Sequence, residues 1–136
     1  MSTHNHYLAN IEEETLNNTD YRRVLYTARY MQLVVMSLPK GIEIGNEIHG
    51  LDQFIRVEKG KAKLILDNSD EHEMNDDDVV IIPAGTWHNV INIGEEDLKL
   101  YTIYTHPEHQ DGVVQPTKAD EKEEHFDGIT TADKRK

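Results

Sequence analysis

From about residue 20 onward the apolar residues of this chain recur at every second position, in short runs cut by turn residues, and no long stretch keeps a helical period. The runs are "YRRVLYTARYMQLVVMSL", "DQFIRVEKGKAKLILD", "VVIIP", "HNVINI" and "LKLYTIYT", punctuated by "PKG", by Gly60 and by "PAG". A period of two sends successive side chains to opposite faces of an extended strand. Several short strands at regular spacing can bury their apolar faces only against one another, so the pattern predicts an all-β barrel or sandwich with its core between about Tyr21 and Tyr104. Tyr21 to Leu38 reads as a hairpin or two strands in sequence.

At 136 residues, the length suits one domain with one core. The expected division is an N-terminal extension over 1–20, the barrel over 21–117 and a charged, flexible tail over 118–136, because the tail has too few apolar residues to offset the entropy of ordering it. No apolar run approaches the roughly 20 residues of a membrane span, and the N-terminus has neither the basic start nor the apolar core of a secretion signal, so a cytoplasmic protein is expected. Cysteine is absent, which leaves nitrogen and oxygen as metal ligands. A net charge of −12 without a basic stripe argues against nucleic acid and leaves small molecules or protein partners.

Other parts of the chain read as peripheral. "DNSDEHEMNDDD" (67–78) holds seven carboxylates, but it lacks the ligand order and glycine of an EF-hand loop and is expected at a solvated hairpin tip. "NIEEETLNN" has helical character and a plausible cap, although a surface loop would read the same. His4, His6, His72, His106, His109 and His125 fall in predicted termini or loops and read as solvated.

The chemistry concentrates elsewhere. In "GNEIHGLDQFIRVEKG" Glu47 and His49 lie two apart and project to one side of an extended chain. After a bend at Gly50, Gln53, Ile55 and Val57 share a face, with Phe54, Arg56 and Glu58 on the other. In "PAGTWHNVIN" the turn at Pro83 to Gly85 starts a strand on which His88, Val90 and Asn92 share a face. Polar groups converging inside an apolar barrel are the usual form of a small-molecule or metal site.

These two segments resemble the paired motifs of the cupins: His-x-His followed by Glu and, further on, Gly, then Pro-x-Gly-x-x-His-x-x-x-Asn. Pro83, Gly85, His88 and Asn92 match the second motif; His49 and Gly60 match parts of the first. "DQFIR", "PAGTWHNVIN" and "LKLYTIY" also resemble a group of small single-domain cupins often labelled mannose-6-phosphate isomerase-like. Glu47 stands where the family has its first histidine, Gln53 where it has glutamate, and Asp77 where a glycine opens the second motif. The resemblance implies a single antiparallel jelly-roll β-barrel and a divalent transition metal, Fe, Mn, Ni or Zn, held by Glu47, His49, His88 and more weakly Gln53. It further implies a metal-dependent enzyme acting on a small oxygenated substrate, a sugar or keto acid, in an isomerase or lyase reaction. The alternatives are a non-catalytic binding module and an Fe(II) dioxygenase. Glu47 and Tyr104, with Tyr101 beside it, are the expected proton-transfer groups. Lys and Arg are sparse near the motifs, and Arg56 should point outward. Trp87 and Phe54 are expected to serve in packing or at an interface. Apolar groups on the outer strand faces, Phe54 and Ile91 among them, predict a homodimer.

Overall fold

The computed structural model describes residues 3–133. Nine strands form two antiparallel sheets: β1 (Arg22–Thr27), β2 (Gln32–Leu38), β3 (Asp52–Lys59), β4 (Ala62–Leu66), β5 (Asp70–Met74), β6 (Val79–Ile82), β7 (His88–Asn92), β8 (Leu98–Thr105) and β9 (Val114–Gln115). The larger sheet runs β6-β3-β8-β2-β1-β9 and the smaller β5-β4-β7. This is the all-β jelly roll that the alternating pattern and the motif pair predict, and β1 and β2 form the anticipated hairpin.

Alternation decides what is buried. Gln53, Ile55 and Val57 of β3 face inward while Phe54, Arg56 and Glu58 lie partly exposed on the opposite face. On β8, Leu98, Leu100, Thr102 and Tyr104 are buried in the same way. Their apolar side chains meet Val34, Met36 and Leu38 of β2 and Leu64 and Val90 of the smaller sheet in one core. Burying each Leu or Ile contributes about 1.5–3 kcal/mol.

Central strand β2 is buried on both faces, because α1 (Ile11–Asn17) packs across the outside of β2, β3 and β8. The Asn10 side chain caps α1 by accepting a hydrogen bond from the Glu13 amide at 3.0 Å, which selects the helix over the loop that the sequence also allowed. Among the described residues no helix is long and apolar enough to cross a membrane.

Two turn positions explain their residues. Gly60 has φ +118°, and a Cβ there would lie 3.2 Å from the Leu98 backbone. Asp77 adopts φ 72°, so the aspartate standing in the family's glycine position keeps a left-handed backbone, and it pairs with Arg56 at 3.0 Å.

Two expectations need correction. The acidic run 67–78 is more than a hairpin tip, since it contains edge strand β5, whose first four residues are exposed and paired with β4. Residues 118–133 do not trail away from the barrel. Thr130 is buried, Thr131 bonds to Thr27, and the backbones of Gln110 and Phe126 bond to Glu124 and Glu108. Backbone and polar hydrogen bonds hold this segment, which is why its low apolar content was misleading.

Candidate metal centre

Residues 42–49 run alongside β7 and extend the smaller sheet. The Glu47 and His88 backbones exchange two hydrogen bonds of 2.9 Å, and the Gly85 amide donates to the His49 carbonyl at 2.9 Å. This pairing sets Glu47 opposite His88 and brings His49 to the same side. The ligand atoms of Glu47, His49 and His88 all lie within 4.8 Å of one another. The structure thus brings together three of the four residues expected to hold the ion.

Second contacts orient the imidazoles. His88 Nδ1 donates to the Thr86 carbonyl at 2.9 Å, which leaves the Nε2 lone pair free. Burial pushes His88 below its ordinary pKa, reinforced by His49, so the neutral, ligating form is favoured. His49 Nδ1 faces the Glu108 carboxylate at 3.6 Å, and its Nε2 faces Glu47 Oε2 at 3.0 Å. Burial lowers the His49 pKa, but the Glu47 and Glu108 carboxylates outweigh it and raise the value overall.

His49 Nε2 is buried and stands at ion-pair distance from Glu47 Oε2, 3.0 Å, without hydrogen-bond geometry. A cation between the two lone pairs, a proton on Nε2 or a metal ion, removes their repulsion. Donors about 2.1 Å from a common ion and at a right angle would lie ~3.0 Å apart, so the spacing fits two ligands of one metal.

Gln53 is buried at 5% exposure on the inward face of β3. Its amide nitrogen donates to Thr102 Oγ1 at 3.0 Å, and its Oε1 carries no hydrogen bond. An orphaned buried acceptor has the chemistry of a weak oxygen ligand.

A cavity of about 450 Å³ opens over two members of the triad, Glu47 and His49. Its floor is formed by Glu47 and His49, and one wall by Glu108 and His109. Arg22 enters from β1, and residues 121–125 close the remaining side. Gln32, fully buried, holds the wall in place: its amide donates to the His109 carbonyl at 2.7 Å and accepts from the Glu108 and His109 amides. Arg22, 3% exposed, donates through Nη1 to Gln115 at 2.8 Å and to Glu121 at 3.0 Å. Glu121 also accepts from the Tyr21 hydroxyl at 3.0 Å and from Lys118 at 2.7 Å. Its carboxylate fastens the chain's last segment to the barrel.

Several sequence expectations change here. His109 is not solvated: it sits 3.3 Å from the Tyr104 hydroxyl, and burial, with Arg22 and His49 nearby, pushes its pKa down to about 3. His125 is exposed but reaches Glu108 at 3.2 Å. Tyr104, expected to transfer protons, is 3% exposed and stands behind His49 and His109, outside the cavity lining; burial holds its hydroxyl well above the usual range. Its ring makes edge contacts with those of His49 and His109. Trp87, expected in packing or at an interface, lines the cavity and is 40% exposed. Arg56 does point outward, as expected, yet Arg22 brings a cation from outside the motifs. The period-two pattern offered a signal for Arg22, a charged residue on the buried face of β1; no comparable signal marked Glu108 or Glu121.

The family model for the cupin domain matches residues 34–104, which include the whole triad. The chain is 43% identical over 120 residues to the uncharacterized protein YrkC of Bacillus subtilis (strain 168), covering 84% of this chain and 64% of that protein. It thus spans less than two thirds of YrkC. It is 47% identical over 112 residues to the uncharacterized protein L612 of Acanthamoeba polyphaga mimivirus, covering 79% of this chain and 70% of L612. The crystal structure of BH2720 from Bacillus halodurans superposes with a TM-score of 0.82 at 45% identity, over 84% of this chain and 91% of that one.

Proposed function

The chain belongs to the cupin family, and from that premise we propose that it is a cytoplasmic protein that binds one divalent transition metal through Glu47, His49 and His88, with Gln53 as a weak or water-bridged fourth ligand. Its activity is then that of a metal-dependent isomerase or lyase on a small oxygenated substrate. The observation that carries the reading is the convergence of Glu47, His49 and His88, whose ligand atoms lie within 4.8 Å of one another, with His49 Nε2 3.0 Å from Glu47 Oε2. When bound, the ion supplies Lewis-acid polarisation of a carbonyl or hydroxyl oxygen.

The protein's own groups do the rest. Thr86 fixes the His88 tautomer, Glu108 faces the far nitrogen of His49, and Gln32 keeps Glu108 and His109 on the wall. Proton transfer falls to Glu47 if it is not committed to the ion, and otherwise to Glu108. Because Glu108 is already engaged by His49 and His125, a module that holds its ligand without converting it is the second reading.

The test is metal analysis of protein purified without chelators, with heating in the presence and absence of EDTA. His49→Ala and His88→Ala should each lose most of the metal, since two remaining ligands hold a labile ion poorly. Variants that carry as much metal as the parent would overturn the reading.

A further inference from the structure

The cavity lining says more than the triad does. We propose that its ligand is an uncharged, polyhydroxylated molecule of monosaccharide size that packs against Trp87, and that sugar phosphates and keto acids are selected against. This deepens the metal-site reading and rests on it for the charge of the ion.

Charge carries the argument. Five carboxylates line the cavity, Glu47, Glu108, Glu121, Glu123 and Glu124, against two cations, Arg22 and Lys122. Lys118 also pairs with Glu121 at 2.7 Å, so a divalent ion brings the lining to about neutral and leaves no positive excess to attract an anion. A phosphate monoester brings close to two further negative charges at neutral pH, and a keto acid one. Arg22, the cation suited to recognise an acid, is 3% exposed, and its Nη1 is committed to Glu121 and Gln115. The chain's own carboxylate fills the position at Nη1, while the buried Nε carries no hydrogen bond.

The same lining suits hydroxyl groups. Carboxylates only accept hydrogen bonds and hydroxyls donate them, so acceptor-rich walls match a polyol. His109, kept neutral by burial, and the Asn46 amide add sites that complement hydroxyls in either role. Trp87 is 40% exposed at the cavity and offers apolar surface to the C–H face of a sugar ring. A volume of about 450 Å³ admits one such ring.

Trp87 is the single tryptophan of the sequence, so its fluorescence reports from this wall. Metal-loaded protein is titrated with D-glucose, D-mannose, D-fructose and D-xylose, with the hexose 6-phosphates and with pyruvate, following fluorescence and heat. At least one neutral sugar should saturate, and its phosphate and pyruvate should bind on the order of tenfold more weakly, the scale of a single unfavourable charge contact in a partly hydrated site. Trp87→Leu should weaken the sugar about tenfold with metal content unchanged, and Glu123→Gln/Glu124→Gln should narrow the gap to the phosphate. The proposal fails if a phosphate or pyruvate binds as tightly as every neutral sugar, if none of the sugars binds, or if Trp87→Leu binds like the parent. Metal content, measured on the same samples, decides the metal reading separately: sugar binding by a protein that takes up no metal supports the ligand class and overturns the metal site.

Discussion

Replacing Glu121 by glutamine removes one charge from the clasp that holds the cavity wall and leaves the shape nearly unchanged. Arg22 is 3% exposed, and without the carboxylate its guanidinium keeps Gln115 as a neutral partner. Breaking a fully buried ion pair costs about 3–5 kcal/mol. The Glu121 side chain is 28% exposed, so water screens part of this, and a loss of about 2 kcal/mol is expected. With a urea slope of about 2 kcal/mol/M, the unfolding midpoint at pH 7 should fall by about 1 M. The effect should also depend on pH. Burial raises the Glu121 pKa, but hydrogen bonds from Lys118 and Arg22 outweigh it and hold the carboxyl below its ordinary range. A depressed carboxylate pKa stabilises the fold above its unfolded value near 4.5, and that stabilisation is lost as pH falls through the lower, folded value. The gap between parent and variant should therefore narrow below pH 4.5. In an Arg22→Met background, Glu121→Gln should cost much less than in the parent. A variant within 0.5 kcal/mol of the parent at pH 7, or a gap unchanged at pH 3, would refute the reasoning.

Gln53→Ala should reduce metal affinity far less than either histidine substitution, while Gln53→Glu should tighten it by adding a carboxylate; isothermal titration with Mn(II) or Zn(II) measures both. Because the His49 pKa is raised, metal affinity should fall as pH drops through that elevated value, since the ion needs an unprotonated Nε2. The metal-free protein shows the opposite trend: stabilisation of His49 by its carboxylates is complete below the ordinary 6.5 and is lost as pH rises through the raised value, so the melting-temperature gap between metal-loaded and metal-free protein should widen with pH. Ile81, 68% exposed, continues a row through Phe54 to Ile103 across the outer face of β6, β3 and β8. We expect a homodimer through this face, with Ile81→Glu monomeric in sedimentation; a monomeric parent at micromolar concentration would contradict this.

Residues placed by short-range rules could be read from the sequence. Alternation fixes which face of β3 carries Gln53, Ile55 and Val57, and the two-residue spacing of Glu47 and His49 fixes their common side. His88 joins them because the resemblance supplied a long-range pairing that periodicity alone does not contain. The cavity wall was not legible, because nothing local ties Glu121 to Arg22, residues 99 apart in sequence. Charge-rich composition suggested a solvated tail at 118–136, yet specific hydrogen bonds from the barrel hold its described part. Composition counts the polar groups without revealing which find partners. His109 was misread for the same reason: its loop is held by Gln32, a buried amide far away in sequence.

The wall and the triad come from different parts of the chain, and this separates two things that a protein of this kind can change. Residues 47–88 hold the proposed ligands, whereas 121–125 and Arg22 shape the approach to them. Substitutions in the last stretch can widen, narrow or recharge the doorway while the coordinating atoms stay where β7 and its neighbour place them. Which molecules enter and what chemistry meets them can then vary independently.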